Sequence, residues 1–247
     1  MIEHVGEAVL YLGDCLDVMP TIQPVDMVLC DLPYGTTRNR WDSVIPLNAL
    51  WAEYERVCGG AVVLTAQTPF DKVLGASNLS RLRYEWIWEK TSPTGHLNAK
   101  RAPMKSHENV LVFYDRQPTY NPQKTSGHAR KTATKRGDKT PNYGAQTFAP
   151  LTYDSTDRYP RSVLTIPRDT QRSRLHPTQK PVALMRYLVA TYTNPGDVVL
   201  DNCMGSGTTG VACAELGRRF IGIEKDRGYF EAACRRLSGQ SGGALTR

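Results

Sequence analysis

Apolar and polar positions follow two periods along this chain. Short apolar runs at residues 8–12, 25–30, 61–66, 109–114, 198–201 and 218–224 predict buried strands. Residues 84–90 alternate around Trp86 and Trp88 and predict another strand. Between them the period changes to that of a helix. Leu47, Leu50, Trp51, Tyr54 and Val57 share one helical face, and Gly59-Gly60 follows as a stop. Leu184, Leu188 and Val189 mark a second helix, entered through Pro181 and ended before Asn194-Pro195-Gly196-Asp197. A weaker pattern covers residues 69–80, and a single helical turn is expected at 15–19, stopped by Pro20. Two further helices run from the glycine turn to about Leu216 and from about Gly228 to Leu237. Strand and helix in this rhythm predict an α/β sheet.

Two stretches break the rhythm. Residues 91–108 are polar, with Lys100, Arg101 and Lys105, and are expected to form a long functional loop. Residues 116–174 are rich in Thr, Gly, Pro, Lys, Arg and Tyr. Lysines and arginines there can hold phosphates while the interleaved aromatics pack or stack on bases. The bland alternative is a solubilising excursion.

Charge sharpens the contrast. The 247 residues carry a formal charge of +7 and are 40% apolar, ordinary for a globular chain with one large domain and an inserted lobe. Residues 116–180 hold thirteen Lys or Arg against four Asp or Glu, so everything outside that window sums to −2. Such a segment suits a polyanion. The six cysteines form no CxxC pair, and the histidines are not at ligand spacing, so no metal site is expected. With no secretory leader and no apolar run near 18 residues, neither secretion nor membrane spanning is expected; a cytoplasmic place is.

Candidate chemistry gathers at two strand ends. The first is Asp31-Leu32-Pro33-Tyr34-Gly35. Pro33 cannot donate to a ladder, so the strand stops near Asp31. A carboxylate, a rigid turn and an aromatic ring then stand at the carboxyl end of a strand, where open α/β sheets bind ligands. Asp14 follows another strand end in the same way. Residues 35–42, containing Arg38 and Arg40, are polar and without periodicity, and read equally as a loop over a site or as a solvated connection with Trp41 folded back onto the core. The second is Asp201-Asn202-Cys203-Met204-Gly205-Ser206-Gly207-Thr208, a glycine turn between a strand and a helix, with Glu224 at the end of the next strand. The turn lets a ligand approach the backbone, and the carboxylate can grip a ribose diol. No Gly-Lys-Ser/Thr follows, so the turn is not a phosphate loop. A nicotinamide-binding protein stays open at this point.

Taken together, these residues resemble the amino-type DNA methyltransferases that use S-adenosylmethionine. Asp31-Leu32-Pro33-Tyr34 stands where that family has D/S/N-P-P-Y/F/W, and Cys203-Met204-Gly205-Ser206-Gly207 where it has F-x-G-x-G. The order of catalytic motif, variable segment and cofactor turn is similar to the beta group. His176-Pro177-Thr178-Gln179-Lys180-Pro181 resembles the stretch before that group's cofactor turn, and Gly13-Asp14 its acidic turn. Leu32 and Cys203 depart from the pattern: one rigid ring and one bulky aromatic are lost.

The resemblance implies a Rossmann-like methyltransferase fold with a mixed, circularly permuted seven-stranded sheet. Residues 1–115 would be the catalytic half, 116–174 an inserted basic target-recognition segment and 175–247 the cofactor-binding half. Asp31, Leu32, Pro33 and Tyr34 would be catalytic: Asp31 and the Leu32 carbonyl take the amino hydrogens and Tyr34 stacks on the base. Asp14, Asp31, His176, Thr178, Lys180, Asp201, Cys203, Met204, Gly205, Ser206, Gly207, Thr208 and Glu224 would bind the cofactor, S-adenosyl-L-methionine. Arg38, Arg40, Lys100, Arg101, Lys105, Lys131, Lys135 and Arg136 would meet double-stranded DNA. The implied reaction is methylation of adenine N6 in DNA. Cytosine N4, or a catalytically silent nucleic-acid-binding module, is the alternative. A monomer or homodimer in a bacterial or phage setting is implied, with a cognate restriction endonuclease as an open genetic partner.

Overall fold

Strand β3 shows why the sheet lies where it does. In Val25–Asp31, Met27 and Leu29 enter one buried core while Val28 and Cys30 enter another on the opposite face. A strand apolar on both sides needs helices on both sides. The computed structural model describes residues 1–35, 43–135, 151–169 and 179–241.

In chain order the strands are β1 (Ile2–Val5), β2 (Ala8–Leu12), β3, β4 (Cys58–Ala66), β5 (Leu82–Thr94), β6 (Lys105–Phe113), β7 (Lys131–Lys135), β8 (Leu151–Ser155), β9 (Val163–Thr165), β10 (Val198–Asp201) and β11 (Arg219–Glu224). The helices are α1 (Cys15–Val18), α2 (Leu47–Val57), α3 (Phe70–Ser77), α4 (Val182–Tyr192), α5 (Thr208–Glu215) and α6 (Arg227–Ser241). Nine strands form one sheet in the order β1-β2-β11-β10-β3-β4-β6-β5-β9. Strands β2, β11, β10, β3 and β4 run parallel, β6 is antiparallel to both its neighbours, and β9 is parallel to β5. Helices α4, α5 and α6 bury Leu188, Val211 and Phe230 against one face. Helices α2 and α3 bury Leu50, Tyr54 and Leu74 against the other. Each such side chain, fully withdrawn from water, stabilises the fold by about 1.5–3 kcal/mol.

The sheet thus has nine strands, not the expected seven. β1 adds by folding back on β2 through a tight turn. β9 adds because Val163–Thr165 pairs with Ile87–Glu89. Strand β4 also starts earlier than the Gly59-Gly60 stop suggested. Gly60 passes so close to β3 that a Cβ would lie 2.0 Å from the Asp26 carbonyl oxygen, so these glycines belong to the strand. The loop expected at 91–108 shrinks to 95–104, because β5 and β6 extend into it and pair as far as Thr94 and Lys105.

The chain divides into two compact units. One is Met1–Asn121 with Ser162–Arg247; the other is Pro122–Arg161. The second is narrower than the 116–174 segment expected to be the insert. Asn121 is tied through its backbone N–H to the Thr191 carbonyl in the first unit, and residues 163–165 belong to the large sheet. Within the second unit β7 and β8 pair antiparallel, and Arg130 grips Asp154 with two hydrogen bonds of 2.8 and 2.6 Å. Lys124 Nζ sits 4.5 Å from the centre of the Tyr159 ring.

Candidate active site

Five parallel strands end on one rim of the sheet. From β10 the chain turns through α5 towards β11, whereas from β3 it turns through α2 towards β4. The crevice between the ends of β10 and β3 is therefore the point where strand order reverses, the usual ligand site of an open α/β sheet. A cleft of about 1110 Å³, open solvent included, lies there.

At the glycine-turn end, Glu224 closes β11. Its Oε2 accepts the Gly205 N–H at 2.9 Å and its Oε1 the Asp226 N–H at 2.8 Å. Burial pushes the Glu224 carboxyl up, against the backbone N–H groups of Asp226, Gly205 and Lys225 that favour its ionised form. Asp201, expected to hold the cofactor, lines the cleft and also braces the turn. Its Oδ1 accepts the Cys203 N–H at 3.1 Å and its Oδ2 the Thr209 hydroxyl at 2.6 Å. Burial raises its carboxyl to about 7, with the Thr209 hydrogen bond opposing. Gly207 is structural. It has φ +77 as the residue before α5, and a Cβ there would come 3.1 Å from Ala233. It does not line the cleft, whereas Cys203, Met204, Gly205, Ser206 and Thr208 do. Asp14 lines it too, while its Oδ1 caps α1 by accepting the Leu16 N–H at 3.0 Å.

At the other end the carboxylate of Asp31 is held from three sides. Oδ1 accepts the Tyr34 hydroxyl at 2.7 Å and the Thr65 hydroxyl. Oδ2 accepts the Lys180 ammonium at 2.7 Å. Leu32 and Pro33 follow in the cleft wall. The Tyr34 ring stacks on Phe70, with centroids 5.5 Å apart and planes at 26°, and Lys180 Nζ lies 5.4 Å from its centre. Tyr34, expected to stack on a base, is thus packed by the protein and turned with its hydroxyl to Asp31. Burial, then the Asp31 charge, pushes that phenol well above its ordinary value.

Behind Asp31 stands a run of buried charge absent from the sequence expectations. Lys180 Nζ is 3.1 Å from Glu108 Oε2, and Glu108 Oε1 is 2.5 Å from Lys90 Nζ. Burial alone would lower the Lys180 ammonium, but Asp31, Tyr34 and Glu108 outweigh it and hold it well above the lysine range. Burial alone would raise Glu108, but Lys180 and Lys90 outweigh it and hold the carboxyl below the usual range. Thr65, Lys90 and Glu108 were missed because strand periodicity marks them only as polar interruptions of apolar runs. Lys180, expected at the cofactor, lines the cleft and is bonded to the Asp31 carboxylate. The Gln179 side chain accepts the Ser206 hydroxyl at 3.0 Å.

The expected DNA contacts scatter. Lys100, Arg101 and Lys105 stand exposed on the 95–105 hairpin, with Lys105 Nζ 3.2 Å from Gln67 Oε1. Lys131 is exposed and Lys135 ends β7. Arg38, Arg40, Arg136, His176 and Thr178 lie outside the described residues. Among the described residues no cluster of His, Cys, Asp or Glu could hold a metal ion, and no helix is long and apolar enough to cross a membrane.

Known proteins share this arrangement. The chain is 29% identical over 244 residues to the DNA adenine methyltransferase YhdJ of Escherichia coli K12, spanning 91% of this chain and 81% of that protein. It is 26% identical to the type II methyltransferase M.HinfI of Haemophilus influenzae, spanning 91% and 67%. The M1.HpyAVI–SAM complex superposes with a TM-score of 0.64 over 92% of this chain and 98% of that one, at 24% identity. The cytosine-N4-specific PvuII DNA methyltransferase superposes at 0.69 over 96% and 92%, at 13% identity. These last two likenesses carry the α/β methyltransferase fold. Residues 25–235, both strand ends and everything between them, match the N6_N4_Mtase family of DNA methylases, and the chain belongs to that family.

Proposed function

We propose that this protein transfers a methyl group from S-adenosylmethionine to the N6 amine of adenine in duplex DNA. The observation that carries the reading is a single cleft with Glu224 at one end and Asp31 at the other. The first listens for a ribose, the second for an amine. The cleft suits a cofactor with a ribose: Gly205 brings no side chain to it, and the Glu224 carboxylate lines it. Glu224 would hold the ribose hydroxyls, and the backbone around Gly205 the neighbouring part of the cofactor. Once bound, the sulfonium supplies an electrophilic methyl group.

The residues around Asp31 handle the acceptor. An exocyclic amine is a poor nucleophile because its lone pair is shared with the ring. Two acceptors on its N–H bonds aim what remains. Among the described residues Oδ1 of Asp31 already takes two hydrogen bonds and Oδ2 only the Lys180 ammonium, so Oδ2 is the oxygen with room for an amino hydrogen. The Leu32 carbonyl is the second acceptor. Positive charge building on the nitrogen is met by a carboxylate already in position. The base leaves the duplex at a cost of a few kcal/mol, and Phe70 keeps Tyr34 in place beside it.

Adenine is favoured by Asp at position 31 and by the named activity of YhdJ. In this reading the sheet is circularly permuted, with the catalytic strand β3 preceding the cofactor strands β10 and β11 in the chain. Residues 116–174, with Pro122–Arg161 as their compact part, read the target. The test is incubation with unmethylated duplex DNA and S-adenosylmethionine, then digestion to nucleosides and mass analysis. N6-methyl-2′-deoxyadenosine is expected. N4-methyl-2′-deoxycytidine moves the substrate to cytosine, and the absence of both overturns the reading.

A further inference from the structure

We propose that Glu108, anchored by Lys90, is a positioning residue that holds the Lys180 ammonium on Asp31 and so fixes the oxygen that receives the target amine. The inference rests on the methyltransferase reading and adds two residues to it.

Four charged groups from four segments lie in series: Lys90 on β5, Glu108 on β6, Lys180 just before α4, and Asp31 at the end of β3. The side chains of Lys90, Glu108 and Lys180 are only 4, 9 and 7% exposed. Burying three charges is costly, and apolar residues of the same volume usually serve stability as well or better. The series ends at Asp31, the carboxylate proposed above to receive the target amine, which gives the cost a use. Its geometry is directional. Glu108 Oε2 is withdrawn from solvent and sits 3.1 Å from Lys180 Nζ. It attracts the ammonium while Lys180 gives hydrogens to Asp31 Oδ2 at 2.7 Å and to the Tyr34 oxygen at 3.3 Å. Lys90, 2.5 Å from Oε1, holds Glu108 from behind and lies 5.3 Å from the centre of the Trp88 ring. Among the described residues the titratable groups facing Lys180 are Asp31 and Tyr34 from the β3 turn and Glu108 from β6, with Lys90 behind Glu108. Without Glu108 the ammonium is held by Asp31 and Tyr34 alone. It then moves, sheds its proton more easily, and leaves Oδ2 without a fixed direction.

The test compares the native protein with Glu108→Gln and with the double variant Lys90→Met/Glu108→Gln, which avoids stranding the Lys90 charge. Methyl transfer to unmethylated duplex DNA is measured across pH. Sites are counted by calorimetric S-adenosylmethionine binding, and Lys180 Nζ is followed in the free protein by lysine-selective nitrogen NMR. Both variants should lose at least tenfold in kcat per cofactor site, with cofactor Kd within twofold. The alkaline limb of kcat and the Lys180 titration should both move at least one pH unit towards neutral. A merely structural Glu108 would reduce the number of cofactor sites and leave both pH positions unchanged, which overturns the proposal. Should Glu108→Gln fail to fold, the double variant decides alone. A native protein that methylates no DNA overturns the methyltransferase reading, and the positioning role with it. A native protein that methylates while the variants keep their pH profile overturns the positioning role only.

Discussion

Replacing Asp31 by Asn keeps the shape of the catalytic turn and removes its charge. Asp31 Oδ2 and Lys180 Nζ are 2.7 Å apart, and at an effective dielectric constant near 20 their attraction is ~6 kcal/mol. Part of that is offset by the desolvation of both groups, and Lys180 keeps Glu108 at 3.1 Å. Removing one partner of a buried pair costs about 3–5 kcal/mol. With Glu108 remaining and Asp31 28% exposed, the loss of folding stability should be nearer 2 kcal/mol. The chemical effect should be larger. Asn can keep an oxygen facing the Tyr34 and Thr65 hydroxyls only by turning its amide N–H groups towards the Lys180 ammonium. The Asp31 acceptor for the substrate amine is then gone, and only the Leu32 carbonyl is left. A missing electrostatic contact to the reacting centre is worth about 10²–10³ in kcat. Asp31→Asn should therefore methylate at least a hundredfold more slowly at saturating DNA. It should bind S-adenosylmethionine with a Kd within about threefold of the native value, because the Glu224 end is untouched. Single-turnover transfer of a labelled methyl group, with calorimetry and urea unfolding alongside, tests all three expectations. Turnover within tenfold of native refutes the catalytic assignment of Asp31, however large the stability change.

Other expectations are independent of this one. Glu224→Ala leaves the Gly205 and Asp226 N–H groups without their acceptor and removes the ribose contact; cofactor affinity by calorimetry should fall by about 1–3 kcal/mol, and unchanged affinity rejects the contact. Asp201 has its folded carboxyl raised from 3.8 to about 7, so its contribution to stability is full below pH 3.8 and is lost as pH rises through 7. The native protein should accordingly lose ~4 kcal/mol relative to Asp201→Asn between those limits, read by urea unfolding across the pH series, and a constant difference argues against the raised value. Neutralising Lys131, Lys135 and Arg136 together should weaken binding to all duplexes alike and flatten the salt dependence, while cofactor affinity stays put. A filter-binding titration that keeps its slope removes these residues from the DNA surface.

Both strand ends were legible in the sequence because each is written locally. Pro33 after an apolar run stops β3 at Asp31, and glycine spacing after Val198–Asp201 makes the turn into α5. The helix at 47–57 was legible to the residue, since five apolar positions share one face. What local pattern could not supply was partnership across the sheet. Glu108 is one acid before a strand core and Lys90 one base after two tryptophans; only the pairing of β5 with β6, with Trp88 opposite Glu108, puts them side by side. Thr65 ends β4 as one polar residue among apolar ones, and its bond to Asp31 exists because β3 and β4 pair in a register that sets those two opposite. Asp201 and Gly207 were placed at the right turn, while the Asp201–Thr209 bond and the packing of Gly207 against Ala233 depend on how α5 and α6 fold back on it.

The position of β10 in the sheet fixes when the protein can work during its synthesis. Among the described strands of the sheet only β11 is made after it, yet it lies in the middle, between β3 and β11. Until it emerges from the ribosome, β3 has β4 on one side and an open edge on the other, for the time needed to make more than 160 residues. An unpaired apolar edge of that kind invites pairing with other chains. The Asp31–Lys180 pair closes a sequence separation of 149 residues, and Gly205 meets Glu224 only once β11 has been made. A growing chain therefore carries Asp31 early but cannot complete the cofactor end of the cleft until β11 is in place. Nascent chains shorter than about 225 residues should be substrates for chaperones before they are enzymes.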